Sequence, residues 1–173
     1  MFENIHEYGQ HAELADRFRS GANWFYWIAG LTLVTSVIGL MGGGWSFFLS
    51  LGITQLIDGF AVYFAYTFGD ATKVIAMVLD IFITALLIGI GYLSNKRQLW
   101  VFLAGIILFG LDSLLSLVVL NVLGLIIHCV VMFMMIRGYI AGRDLLALER
   151  EMAAATSAQT ATAQAGTAPV GTF

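Results

Sequence analysis

Charge is scarce in this chain. Only 11% of its 173 residues are Asp, Glu, Lys or Arg, against about 25% in an average soluble domain. There is one proline, so the apolar runs can be continuous helices. There is one cysteine, Cys129, which excludes an internal disulfide and a cysteine-based zinc site. It lies inside an apolar run and reads as a small apolar filler. No block of basic residues is present, so nucleic acid is not an expected partner. No Gly-x-Ser-x-Gly elbow or Gly-x-Gly-Asp stretch occurs, and an enzyme is not expected. Gly42, Gly43 and Gly44 lack the Lys-Ser/Thr of a phosphate loop and read as a turn. Glu3, Glu7, Glu13 and Asp16, with no positive region ahead of a short apolar core, do not read as a secretory signal.

Apolar residues fill the space that charge leaves. They make up 60% of the chain, and the mean hydropathy is +0.88. That much apolar surface has its solution in lipid, where only helices and closed barrels satisfy the backbone. The runs are long and do not alternate, which excludes a β-barrel. The expected fold is an all-α membrane protein: five transmembrane helices, an N-terminal amphipathic interfacial helix and a disordered C-terminal tail. Residues 1–22 form the interfacial segment, with Leu14, Ala15 and Phe18 on its apolar side. The transmembrane domain covers 23–141, with spans near 24–41, 45–66, 73–93, 99–119 and 122–139. Each approaches the ~20 residues needed to cross. Trp24, Phe25, Tyr26 and Trp27 form an interfacial aromatic belt. Residues 142–155 suggest a juxtamembrane helix, and 156–173 a disordered tail with nothing to bury. Five crossings put the termini on opposite sides. Lys96, Arg97, Arg137, Arg143 and Arg150 then outnumber Arg17, Arg19 and Lys73, which favours a cytoplasmic C-terminus.

Four ionisable residues interrupt the spans: Asp58, Asp80, Asp112 and His128. Counted from the span ends, each lies seven or eight residues in, roughly 10–12 Å below one surface. Each sits on a stripe of small or polar residues, the kind that packs against other helices. Gln55, Thr84, Ser116 and Asn121 are the supporting polar residues. Charged groups inside a span mark a functional site by default. Such a cluster needs shared protons, an imidazolium, a bound cation or water. The first reading is therefore an ion- or proton-handling transporter or channel-like protein that binds a proton or cation at these four residues. The alternative is a structural or accessory subunit whose polar groups tie helices together. Three carboxylates and an imidazole also suit a hard to borderline metal ion, although no His-x-x-x-His spacing supports one. The metal and any cofactor stay unknown. Expected partners are the lipid bilayer and, for so small a bundle, further copies or other membrane subunits. His6 and His11 read as solvated. Ser113 and Ser116 could be read as nucleophiles beside His128, but buried helical serines usually bond to their own backbone.

The segments Asn23-Trp24-Phe25-Tyr26-Trp27-Ile28-Ala29-Gly30 and Gly52-Ile53-Thr54-Gln55-Leu56-Ile57-Asp58 resemble an uncharacterised family of small bacterial polytopic inner-membrane proteins. So does Gly110-Leu111-Asp112 with Gly124-Leu125-Ile126-Ile127-His128. The resemblance spans about residues 20–140. It implies a helical membrane fold in a bacterial inner membrane and supplies no activity, ligand or site.

Overall fold

The computed structural model describes residues 2–40, 52–69, 71–118 and 122–166. They form five helices: α1 (Phe2–Leu40), α2 (Gly52–Phe68), α3 (Ala71–Asn95), α4 (Leu99–Val118) and α5 (Val122–Gly166). No strand occurs among them. Four of the helices, all but α2, are long and apolar enough to cross a membrane. The 17 residues of α2 rise about 24 Å, short of a ~30 Å hydrocarbon core. The expected second span starts at residue 45, so its first part lies outside the described residues. So do the Gly42-Gly43-Gly44 turn and Asn121.

The first expectation to fail is the separate interfacial helix at 1–22. Residues 2–22 belong to α1, which runs unbroken into the apolar segment. The apolar stripe at Leu14 and Phe18 is spent on protein contacts. Phe18 is buried, and it packs edge-on against Phe102 of α4 at 5.8 Å between ring centroids. Phe102 also meets Phe25 at 5.6 Å and Tyr139 at 6.1 Å. This aromatic group, with Phe102 fully buried, is the core of one half of the bundle.

Small residues let the helices approach closely enough to build it. A Cβ on Gly21 of α1 would lie 2.6 Å from the Cα of Gly138 of α5. One turn on, a Cβ on Gly142 would lie 2.5 Å from the Phe18 ring. The Gly138-x-x-x-Gly142 spacing thus forms a flat face on α5 against which α1 lies, the close-packing device of membrane helices. Gly91 of α3 makes similar room for Phe25 and Tyr26.

Contacts along the helices fix their directions. Gly91 lies beside Phe25, and Asp80 beside Ser36, so α3 runs antiparallel to α1. Gly138 lies beside Gly21, and Glu149 beside His11, so α5 does too. The turn from α3 to α4 lies at this same end. Its Gln98 N–H reaches Leu93 O (3.3 Å) and its Arg97 N–H reaches Ser94 O (2.9 Å). This is a Schellman cap with Arg97 in the left-handed position, at φ 64°. A non-glycine residue there costs roughly 1–2 kcal/mol. The Arg97 side chain is held by Glu149 of α5, which also bonds the His11 ring at 3.0 Å. Burial pushes the Glu149 carboxyl up, but the hydrogen bonds and charges of His11 and Arg97 outweigh it and hold it below its ordinary value. His11 is therefore a bonded residue here, where solvation alone was expected.

The His11 region of α1 and the Glu149 region of α5 consequently lie at one end of the bundle, whereas the expected five crossings would put them at opposite ends. Beyond the bundle, α5 continues to Gly166 through residues expected to be a disordered tail. Alanine, the best helix former, recurs along 153–163 and carries the helix on with exposed side chains. Residues 167–173 lie outside the described residues. Reporter fusions placed in turn at the N-terminus and at the C-terminus should give signals from the same side of the membrane. Signals from opposite sides would contradict this arrangement.

Candidate functional site

Asp112 of α4 meets three nitrogen groups, two of them backbone N–H donors, and is only 7% exposed. Its Oδ1 takes the Ile53 N–H at 2.8 Å. Its Oδ2 takes the Gly52 N–H at 3.0 Å and faces Nε2 of His128 at 2.8 Å. Gly52 and Ile53 open α2, and the first N–H groups of a helix have no acceptor of their own. That end also carries partial positive charge, so a carboxylate is the fitting partner. Gly52 allows the approach: a Cβ there would lie 2.8 Å from Ser116 Oγ and 2.9 Å from the Asp112 carbonyl oxygen. Asp112 is about 20 Å along α4 from Leu99. The described part of α2 therefore starts deep within the bundle.

His128 of α5 is also buried. Its ring stacks on Phe109 at 4.8 Å and 11°. Its partners assign its hydrogens. Nδ1 lies 2.7 Å from the Gly124 carbonyl, which can only accept, so Nδ1 donates. Nε2 then shares one proton with the Asp112 carboxylate. Ser116, one turn beyond Asp112 on α4, is buried, and its hydroxyl has no hydrogen-bond partner among the described residues.

Asp80 of α3 forms a second polar centre. It is 2% exposed, and its Oδ2 accepts the Ser36 hydroxyl of α1 at 2.7 Å. Its Oδ1 is buried without a partner among the described residues. So is the hydroxyl of Thr84, one turn further on the same face. Asp58 of α2, the helix that packs on α3, is half-buried. Thr32 and Thr35 of α1 are buried too, with hydroxyls returned to the carbonyls of Ile28, Leu31 and Thr32.

The four residues read from sequence as one layer are thus divided in two. Asp112 and His128 bond directly, level with Gly52 and Ile53. Asp58 is about 9 Å further along α2, toward Phe68. The single layer came from counting inward from expected span ends. α2 starts deep and runs on to Phe68, so Asp58 and Asp112 do not share a level. Among the supporting residues, Gln55, Thr84 and Ser116 are buried, and Asn121 is outside the described residues. Among the described residues, no three His, Cys, Asp or Glu groups converge to hold a metal ion.

Sequence reasoning placed Gly52 and Gly124 on the stripes of Asp58 and His128 but missed Ser36, Phe109 and the backbone groups that Gly52, Ile53 and Gly124 contribute. Phe109 lies one turn before Asp112, so helical spacing could have found it. Ser36 and the α2 amides come from other helices and carry no local signal. No family model, curated protein or solved structure matches this chain.

Removing Asp112 strands a histidine and two backbone donors. Asp112→Ala should destabilise the bundle by about 3–5 kcal/mol, as breaking a buried pair does. His128→Ala should cost less, because the two amides keep their acceptor. The double variant should lose less than the sum of the two singles. Unfolding of the three variants in detergent measures this, and strictly additive losses would contradict a direct Asp112–His128 interaction.

Proposed function

We propose that this chain is an integral membrane protein that handles protons or a small cation at Asp80 and Asp58. The observation that carries the reading is the unpartnered Oδ1 of Asp80, buried on the same face of α3 as the unpartnered Thr84 hydroxyl. No Lys or Arg occurs in α2, or in α3 after Lys73, to neutralise the two carboxylates. Two neighbouring carboxylates in an apolar bundle repel, and a proton or a bound cation relieves the repulsion. The remaining oxygens come from Ser36, Thr84 and the carboxylates, all hard ligands. Asp112 and His128 then serve as the fixed anchor of α2, which carries Asp58.

A second reading has its own support. All the bonding of the Asp112–His128 pair is spent within the chain, as in interhelical glue. On that reading the protein is an accessory subunit that docks onto other membrane proteins. Neither reading calls for an enzyme. A bundle this small also suits a homo-oligomer, with a complete pathway shared between copies.

Orientation follows from charge. Every Lys and Arg except Lys73 lies toward the end where His11 and Glu149 meet: Arg17, Arg19, Lys96, Arg97, Arg137, Arg143 and Arg150. The positive-inside rule puts that end, with both termini, in the cytoplasm. A bacterial inner membrane is the location that the resemblance implies.

Proteoliposomes carrying a pH-sensitive dye, or loaded with a labelled monovalent cation, test the transport reading. Wild type should dissipate an imposed gradient, and Asp80→Asn should slow it by about tenfold or more, the effect of losing at least ~1.4 kcal/mol of site interaction. Absence of flux in wild type would sink the transport reading in favour of the accessory one.

A further inference from the structure

A second site lies far from the aspartates, at the charged end of the bundle. A cleft of ≈ 390 Å³ opens there along one face of α1. Its α1 wall is Asp16, Arg19, Ser20, Asn23, Trp24 and Trp27, a helical stripe about 16 Å long. Met134 of α5 closes the other side. Asp16 and Arg19 are exposed, and neither has an ion-pair partner among the described residues. They are i, i+3 neighbours, with Cβ atoms roughly 5–6 Å apart. One cation and one anion therefore stand side by side, free for a ligand that carries both charges.

The order of the residues gives the ligand a direction. α1 runs from its polar start toward the apolar core, so Trp27 and Trp24 are the deepest members of the stripe. Tryptophan prefers this interfacial depth, beside the lipid glycerol and ester groups. Asn23 and Ser20 come next, with neutral donors. Arg19 follows, and Arg is the residue suited to phosphate. Asp16 is outermost. From the core outward the stripe reads ester, phosphate, then ammonium, the order of groups in a zwitterionic phospholipid.

The geometry points to this cleft as a binding site for the headgroup of phosphatidylethanolamine, with the phosphate on Arg19 and the primary ammonium on Asp16. The carboxylate selects the amine. An ethanolamine ammonium donates hydrogen bonds to it, whereas a choline group has no N–H to donate. A phosphatidylglycerol headgroup presents only hydroxyls and net negative charge, which Asp16 disfavours. The aromatic depth marker and the apolar wall at Met134 select a lipid over a soluble phosphate ester. This site is independent of the ion-handling reading.

Native mass spectrometry of the full chain tests the assignment, using mixed micelles with equal phosphatidylethanolamine, phosphatidylcholine and phosphatidylglycerol. Wild type should retain phosphatidylethanolamine over each of the others by about tenfold, the worth of one charge-assisted hydrogen bond. Asp16→Asn should erase that preference and raise phosphatidylglycerol retention. Arg19→Gln should lower retention of all three. Both side chains are exposed, so the variants should keep the wild-type fold, which the unchanged melting temperature would verify. Equal retention of the three lipids by wild type would overturn the proposal, as would a preference that survives Asp16→Asn. Soluble phosphoethanolamine that displaced the lipid at equal concentration would overturn the lipid assignment.

Discussion

The Asp112 carboxylate is the contact on which the arrangement of this bundle depends. It joins three helices at once: α4 carries it, α2 starts on it, and α5 brings His128 to it. A buried charge without partners is expensive, and a buried helix start without acceptors is too. Each solves the other's problem. The carboxylate receives two backbone donors and an imidazole, and the amides of Gly52 and Ile53 receive an acceptor deep inside the protein. The side chain that makes this possible is the missing one at Gly52, where a Cβ would strike Ser116 and the α4 backbone.

The position of α2 sets the position of Asp58. With its start held at Asp112, α2 lies against α3, where Thr72 bonds the Ala61 carbonyl at 3.1 Å. The polar centre and the charged end are built on opposite principles. Around Asp80 an oxygen remains unsatisfied, which favours occupancy by a proton or cation. At Glu149 the carboxylate itself is fully matched: His11 and Arg97 hold it, and Arg97 keeps a left-handed backbone to reach it. Between the two, the Phe102 aromatic group and the glycines of α1, α3 and α5 lock the long helices without polar help.

Much of this was legible in the residues. The helical class and the membrane-length apolar runs follow from composition and from the lack of internal proline. Small-residue spacing pointed Asp80, Thr84 and Gly91 inward on α3, and all three are buried. Two things could not be read locally. Counting residues from interfacial aromatics assumes that every apolar segment crosses fully, and the described part of α2 starts in the interior instead. That assumption produced both the single layer of four ionisable groups and the opposite placement of the termini. The pairing of Asp112 with the α2 amides is likewise a long-range backbone contact, and backbone donors leave no mark in a sequence. The N-terminal residues Leu14 and Phe18, expected to lie on lipid, pack on protein instead, because Gly142 leaves a recess for the Phe18 ring.

The central claim is that Asp112 holds the start of α2 inside the bundle, and amide hydrogen exchange tests it most directly. In wild type, Gly52 and Ile53 should exchange as slowly as the core of α4. In Asp112→Ala those two amides should become fast while α1 and α5 around Gly21 and Gly138 keep their protection. Fast exchange at Gly52 and Ile53 in wild type, or protection that persists in the variant, would contradict the account.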